Sequence, residues 1–102
     1  MDYQVKLSRS AQFDLGGIVR YISIDDPTQA LRFGRFLIQS TNSLRQFPER
    51  GRVVPEFDDD SIREIIVKSY RVVYRLNSEE RVVEVIRVWH VARGIPDVTP
   101  LD

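Results

Sequence analysis

Arginines and a single histidine recur at short intervals inside two valine-rich runs near the end of the chain. The runs are Tyr70-Arg71-Val72-Val73-Tyr74-Arg75 and Val82-Val83-Glu84-Val85-Ile86-Arg87-Val88-Trp89-His90-Val91-Ala92-Arg93. β-branched runs of this kind belong in a buried sheet, so cations threaded through them either line an edge of the sheet or gather on an open face. Arginine carries a planar, permanently charged fork that recognises carboxylate and phosphate in bidentate fashion. Of the 15 cations, all but Lys6 and Lys68 are arginine. Arg71, Arg87, Arg93 and His90 are therefore the first candidates for chemistry. The plainer alternatives are codon bias, surface ion pairs and a hydrogen-bonded structural histidine. Arg71 alternates with Val73 and Arg75, so a cross-strand pair with Glu84 or Glu64, typically worth about 0.2–1 kcal/mol, accounts for it equally well.

Length and charge narrow the function classes. A chain of 102 residues makes one domain over residues 1–102, with one modest core and no room for a separate catalytic domain. Fifteen basic and 15 acidic groups cancel, which argues against tight non-specific binding to nucleic acid, since that binding draws on a surplus of cations. The basic excess lies in the first half of the chain and the acidic excess in the second. Zero cysteines exclude disulfides and thiolate metal sites, and one histidine argues against a protein-only zinc centre. No metal or cofactor is expected. There is no basic segment followed by an apolar run at the start and no stretch of eighteen apolar residues, so a cytoplasmic protein without a membrane segment is expected.

The elements that must position these residues follow from periodicity. Tyr3, Val5 and Leu7 alternate as a short strand. Ala11, Leu15, Ile18 and Ile22 then form one helical stripe, with Ser8 or Ser10 as cap. Gly16 and Gly17 suggest close approach by another helix, or simple tolerance. Asp26-Pro27-Thr28-Gln29 is a helix start, and Ala30, Phe33, Leu37, Thr41, Leu44 and Phe47 form the second stripe, ended by Pro48. Glu49 to Ser61 reads as loop. Ile62–Val67, Tyr70–Leu76 and Arg81–Val91 read as an antiparallel meander with tight turns at Lys68-Ser69 and around Asn77 to Glu80. The last strand is apolar on both faces, Val83, Val85 and Trp89 on one and Val82, Ile86 and Val88 on the other, which places it inside the sheet. After Arg93 the tail through Asp102 reads as irregular. The fold class is α+β: a small antiparallel sheet in the order β-α-α-β-β-β, with a two-helix hairpin packed on one face.

This order of elements resembles the RelE/ParE superfamily of type II toxins. The residues that carry the likeness run through nearly the whole chain: Val5 and Leu7 before Ser8, Asp14-Leu15, Tyr21-Ile22, Phe47-Pro48, Gly51-Arg52, Pro55-Glu56, Arg63-Glu64-Ile65, Tyr70 to Tyr74, and His90 with Ala92 and Arg93. The resemblance implies a growth-inhibiting toxin silenced by a cognate antitoxin whose C-terminal segment wraps it. A groove for an extended or helical peptide should then be present.

Two activities are implied. RelE-like members cleave mRNA on the ribosome, for which Arg71 would face the scissile phosphate, His90 would be the acid, and Glu64 or Glu56 the base. ParE-like members are not enzymes; they bind DNA gyrase, and here Arg63, Arg87 and Arg93 would be the target contacts. The ending Val88-Trp89-His90-Val91-Ala92-Arg93 and the zero net charge favour the ParE branch. An inactive relative kept as a folding or repressor partner is the third alternative. Helix-mediated dimerisation is expected through the Gly16-Gly17 face, and the assembly expected is a homodimer or a heterotetramer with the antitoxin.

Overall fold

The computed structural model describes residues 2–100; the last two residues of the expected irregular tail lie outside them. Five strands and two helices are present: β1 (Gln4–Leu7), α1 (Arg9–Ser23), α2 (Pro27–Asn42), β2 (Arg52–Val53), β3 (Ile62–Val67), β4 (Tyr70–Asn77) and β5 (Val82–His90). Single 3-10 turns follow α2 at Ser43–Arg45 and β5 at Val91–Arg93. The strands form one sheet in the order β1-β5-β4-β3-β2. β2 to β5 pair antiparallel with their neighbours, whereas β1 runs parallel to β5, from Gln4↔Val82 to Leu7↔Val85. The sheet is therefore mixed. Each connection turns the chain back, and an even number of reversals separates β1 from β5, so the two run the same way.

The helix boundaries follow from local chemistry. The Ser8 hydroxyl accepts from the Ala11 N–H at 3.0 Å, and the Asp26 carboxylate accepts from the Gln29 N–H at 3.1 Å with Pro27 at the first helical position. Each cap satisfies an N–H that the first turn leaves without a carbonyl. Ala11, Leu37 and Leu44, backed by Leu15, Ile18 and Phe33, pack on Val67, Val72, Val83, Val85 and Val88. Fully burying side chains such as Leu37 and Leu44 contributes roughly 1.5–3 kcal/mol each. Phe47 drops out of the expected stripe and is 62% exposed, because α2 ends at Asn42 and the following 3-10 turn changes the helical phase. The close approach between helices is at Gly34, where a Cβ would stand 3.2 Å from the Val19 side chain. At Gly16 and Gly17 a Cβ would meet only Arg20 of the same helix.

A β-bulge sets the faces of β5. Val73 pairs with Arg87 and Tyr74 with Val85, which leaves Ile86 without a partner. The extra residue shifts the alternation: Val83, Val85 and Val88 face the helices, while Ile86 joins Val54, Ile62 and Val73 on the opposite side. The expected grouping of Trp89 with Val83 and Val85 is reversed for the same reason. The sheet's second face is covered by Phe57, from the segment between β2 and β3, and by Val98 from the tail.

Candidate functional site

Arg71 projects from β4 onto the face away from the helices and is almost wholly enclosed, its side chain 8% exposed. Its Nε donates to Glu64 Oε1 at 2.5 Å, and one terminal nitrogen donates to Glu64 Oε2 at 3.2 Å. Both terminal nitrogens reach Glu56, each at 2.7 Å, and one also donates to the Gly94 carbonyl at 3.3 Å. A guanidinium has five N–H donors in a fixed fork, and here every one is engaged. Glu64 is fully buried between Arg71 and Arg52, whose Nε lies 2.8 Å from Oε2. The hydrogen bonds from Arg71 hold the Glu56 carboxyl below its ordinary pKa, and those to Glu56 and Glu64 raise the pKa of Arg71 further. Arg71 thus sits between the carboxylates of Glu56 and Glu64, which already fill its fork and leave no N–H for a phosphate.

His90 faces the other way. On the β4–β5 ladder Arg71 pairs with Trp89 and Tyr70 with His90, so successive residues lie on opposite sides. The imidazole meets Tyr70 edge-on, ring centroids 5.2 Å apart, and its Nδ1 accepts from the Ala92 N–H at 3.0 Å. That bond makes His90 the cap of the 3-10 turn Val91–Arg93 and requires Nδ1 to be unprotonated. Of the residues expected to form a nuclease centre, Arg71 and Glu64 are together and His90 is apart. Arg63 also lies elsewhere, donating to the Gly51 carbonyl at 3.0 Å.

The remaining two arginines meet at Trp89. Arg87 is gripped by Asp14 of α1, with Nε and a terminal nitrogen 2.8 and 2.7 Å from its two oxygens, and donates also to the Asp97 carbonyl at 2.9 Å. This pairing raises the Arg87 pKa. Asp14 Oδ2 also accepts from the Val88 N–H at 3.0 Å. β1 stops opposite Val85, so no strand covers β5 beyond it; the Ser8 hydroxyl on the Ile86 carbonyl and Asp14 on Val88 occupy that edge. The Arg87 and Arg93 guanidinium carbons stand 4.8 and 3.6 Å from the Trp89 ring centroid. Between α1 and this open end of β5 lies a cleft of about 600 Å³, walled by Phe13 and Tyr21, floored by Ile18, Tyr70 and Val88, and reached by Arg93. Phe13 and Tyr21 are 67% and 76% exposed.

Residues 5–94 match the family described as the ParE toxin of the type II toxin-antitoxin system parDE. The chain belongs to the RelE/ParE superfamily of type II toxins. It is 32% identical over 94 residues to toxin RelE1 of Caulobacter vibrioides, which covers 88% of this chain and 95% of that one. Two solved structures share the fold of this RelE/ParE toxin: the chromosomal ParDE system of P. aeruginosa (TM-score 0.70, 19% identity, 86% and 95% of the two chains) and the RelBE2 toxin-antitoxin complex of Mycobacterium tuberculosis (TM-score 0.68, 22% identity, 88% and 99%).

Several residues that carried the family likeness hold this fold together. Tyr74 is fully buried, donates to the Pro48 carbonyl at 2.6 Å and accepts from the Gly51 N–H at 3.1 Å. A Cβ on Gly51 would come within 2.5 Å of the Tyr74 hydroxyl, so glycine is required there by contact. Sequence reasoning assigned no role to Asp14, the partner of Arg87. The signal was present: Asp14 is three residues after Ala11 and four before Ile18, so it lies on the apolar stripe of α1, where an acid needs a buried partner. Among the described residues, no group of three acidic or histidine side chains is arranged to hold a metal, and no helix is long and apolar enough to cross a membrane.

Proposed function

We propose that this toxin inhibits growth by binding rather than by cutting RNA, with DNA gyrase as its target in the cytoplasm. The observation that carries this reading is the separation of Arg71 from His90. A ribonuclease of the expected kind needs a cation on the scissile phosphate and an acid beside it on one surface. Here the arginine is saturated by carboxylates on one face of the sheet, and the histidine caps a turn on the other. The zero net charge supports a protein target over RNA. In the same reading the cognate antitoxin neutralises the toxin by laying an apolar segment of its C-terminal region into the cleft between α1 and β5. The exposed Phe13 and Tyr21 offer an apolar segment two walls, and Ile18, Tyr70 and Val88 a floor between them.

The test is a purified-component assay with gyrase and supercoiled plasmid. The toxin should trap gyrase with cleaved DNA, and equimolar antitoxin should abolish the effect. Unaltered gyrase activity, together with cleavage of mRNA on translating ribosomes, would overturn the proposal.

A further inference from the structure

We infer that Asp14 is a positioning residue for target recognition, acting through Arg87 and Trp89 to hold Arg93 ready for a carboxylate on the protein target. The inference rests on the binding reading above and assigns that surface its working parts. Among the described residues, the Arg93 side chain makes no hydrogen bond or ion pair; its guanidinium carbon lies 3.6 Å from the Trp89 ring centroid, at the rim of the cleft. A guanidinium held against an indole with no hydrogen-bond partner of its own keeps N–H donors available while losing rotational freedom, so less entropy is lost when it engages an anion. Arg87 is the opposite case, because Asp14 and the Asp97 carbonyl consume its fork. It acts as a brace.

The platform is built for this use. Trp89 is 6% exposed, among the described residues its Nε1 has no acceptor, and both arginines lie against its ring. Arg87 lies against the same ring and is anchored to α1 through the buried Asp14, which also fixes the Val88 backbone beside it. His90 completes the arrangement by capping the turn that brings Arg93 back over Trp89. The partner group is a carboxylate rather than a run of phosphates: one free fork beside an aromatic cleft suits a single anionic side chain, and the chain lacks the cationic surplus a polyanion demands.

A double-mutant cycle between Asp14→Asn and Arg93→Ala tests this. It is read in two ways, as affinity for purified gyrase and as growth arrest on titrated induction. Arg93→Ala should weaken gyrase binding by about tenfold or more, as expected for truncating an interface arginine, without loss of folded protein. Asp14→Asn should weaken binding when Arg93 is present and add nothing in the Arg93→Ala background, since coupled residues are not additive. It should also change the emission of Trp89, the only tryptophan. If Asp14→Asn folds poorly, Arg87→Lys, which keeps the charge but gives up the fork, replaces it in the cycle. Additive losses, wild-type affinity in Arg93→Ala, or equal loss of affinity for gyrase-free DNA would overturn the inference. Absence of gyrase binding by the unmodified toxin would overturn the gyrase reading instead, with the cycle then decided by growth arrest.

Discussion

Arg71 and His90 are one register step apart on neighbouring strands and face opposite sides of the sheet. The nearest partners of His90 are the Tyr70 ring and the Ala92 N–H, neither of which asks it to transfer a proton. His90→Asn should therefore keep the turn and the toxicity, because the Asn carbonyl can accept where Nδ1 does. His90→Ala should lose the cap at a cost of about 0.5–2 kcal/mol and become less toxic. Growth arrest and thermal unfolding of the two variants check this. Loss of toxicity in a fully folded His90→Asn would point back to acid catalysis.

Removing Arg71 should be felt first in stability. Arg71→Ala leaves fully buried Glu64 with only the exposed Arg52 as partner, and breaking a buried pair by deleting one member costs about 3–5 kcal/mol. Replacing both partners, Arg71→Met with Glu64→Met, should recover much of that loss. Chemical denaturation of the three proteins measures it. An Arg71→Ala protein as stable as the unmodified toxin would show that the network is not a structural tie.

Acid should weaken the same tie. The Glu56 carboxyl has a lower pKa in the folded protein than in the unfolded chain, chiefly because Arg71 donates to it. The unfolded state then binds more protons across the interval between the two values, so stability rises with pH there. The contribution of Glu56 is full above the ordinary glutamate range and is lost as pH falls below it. Thermal unfolding of Glu56→Gln should lie below that of the unmodified toxin at pH 7, and the gap should narrow as the pH falls below the ordinary glutamate range. A gap that does not change with pH would contradict the pairing.

Gly51 and Tyr74 form a contact that tolerates no added methyl. Gly51→Ala would place a Cβ 2.6 Å from the Glu64 carbonyl as well as against Tyr74, and such overpacking costs about 1–3 kcal/mol. Tyr74→Phe leaves the Gly51 N–H and Pro48 carbonyl without their partner, a loss of about 1–3 kcal/mol for buried groups. Denaturant midpoints provide the check, and a neutral Gly51→Ala would mean that the segment from Pro48 to Gly51 moves freely over Tyr74.

Features set by neighbours in sequence were legible in advance. The caps at Ser8 and Asp26, the Lys68-Ser69 turn and the interior place of β5 all follow from local spacing, and each is present. Features set by distant partners were not. The parallel pairing of β1 with β5 depends on the whole path of the chain. The bulge at Ile86 is one extra residue that leaves no periodic trace, yet it reverses which side chains share a face. β2 is too short to show alternation and hid within an expected loop. At the site, Arg71 with Glu64 was visible as a cross-strand option. Glu56 in the loop and Asp14 on α1, 73 positions from Arg87, could be matched to their arginines only in three dimensions.

This toxin is expected to bind its target and to cut no RNA. The most direct measurement is induction without antitoxin, followed by mapping of mRNA ends and of gyrase-linked chromosomal breaks in the same cells. Intact mRNA, gyrase-linked breaks, and undiminished breaks in folded His90→Asn are the expected result. Cuts in translated mRNA with unbroken DNA would contradict it.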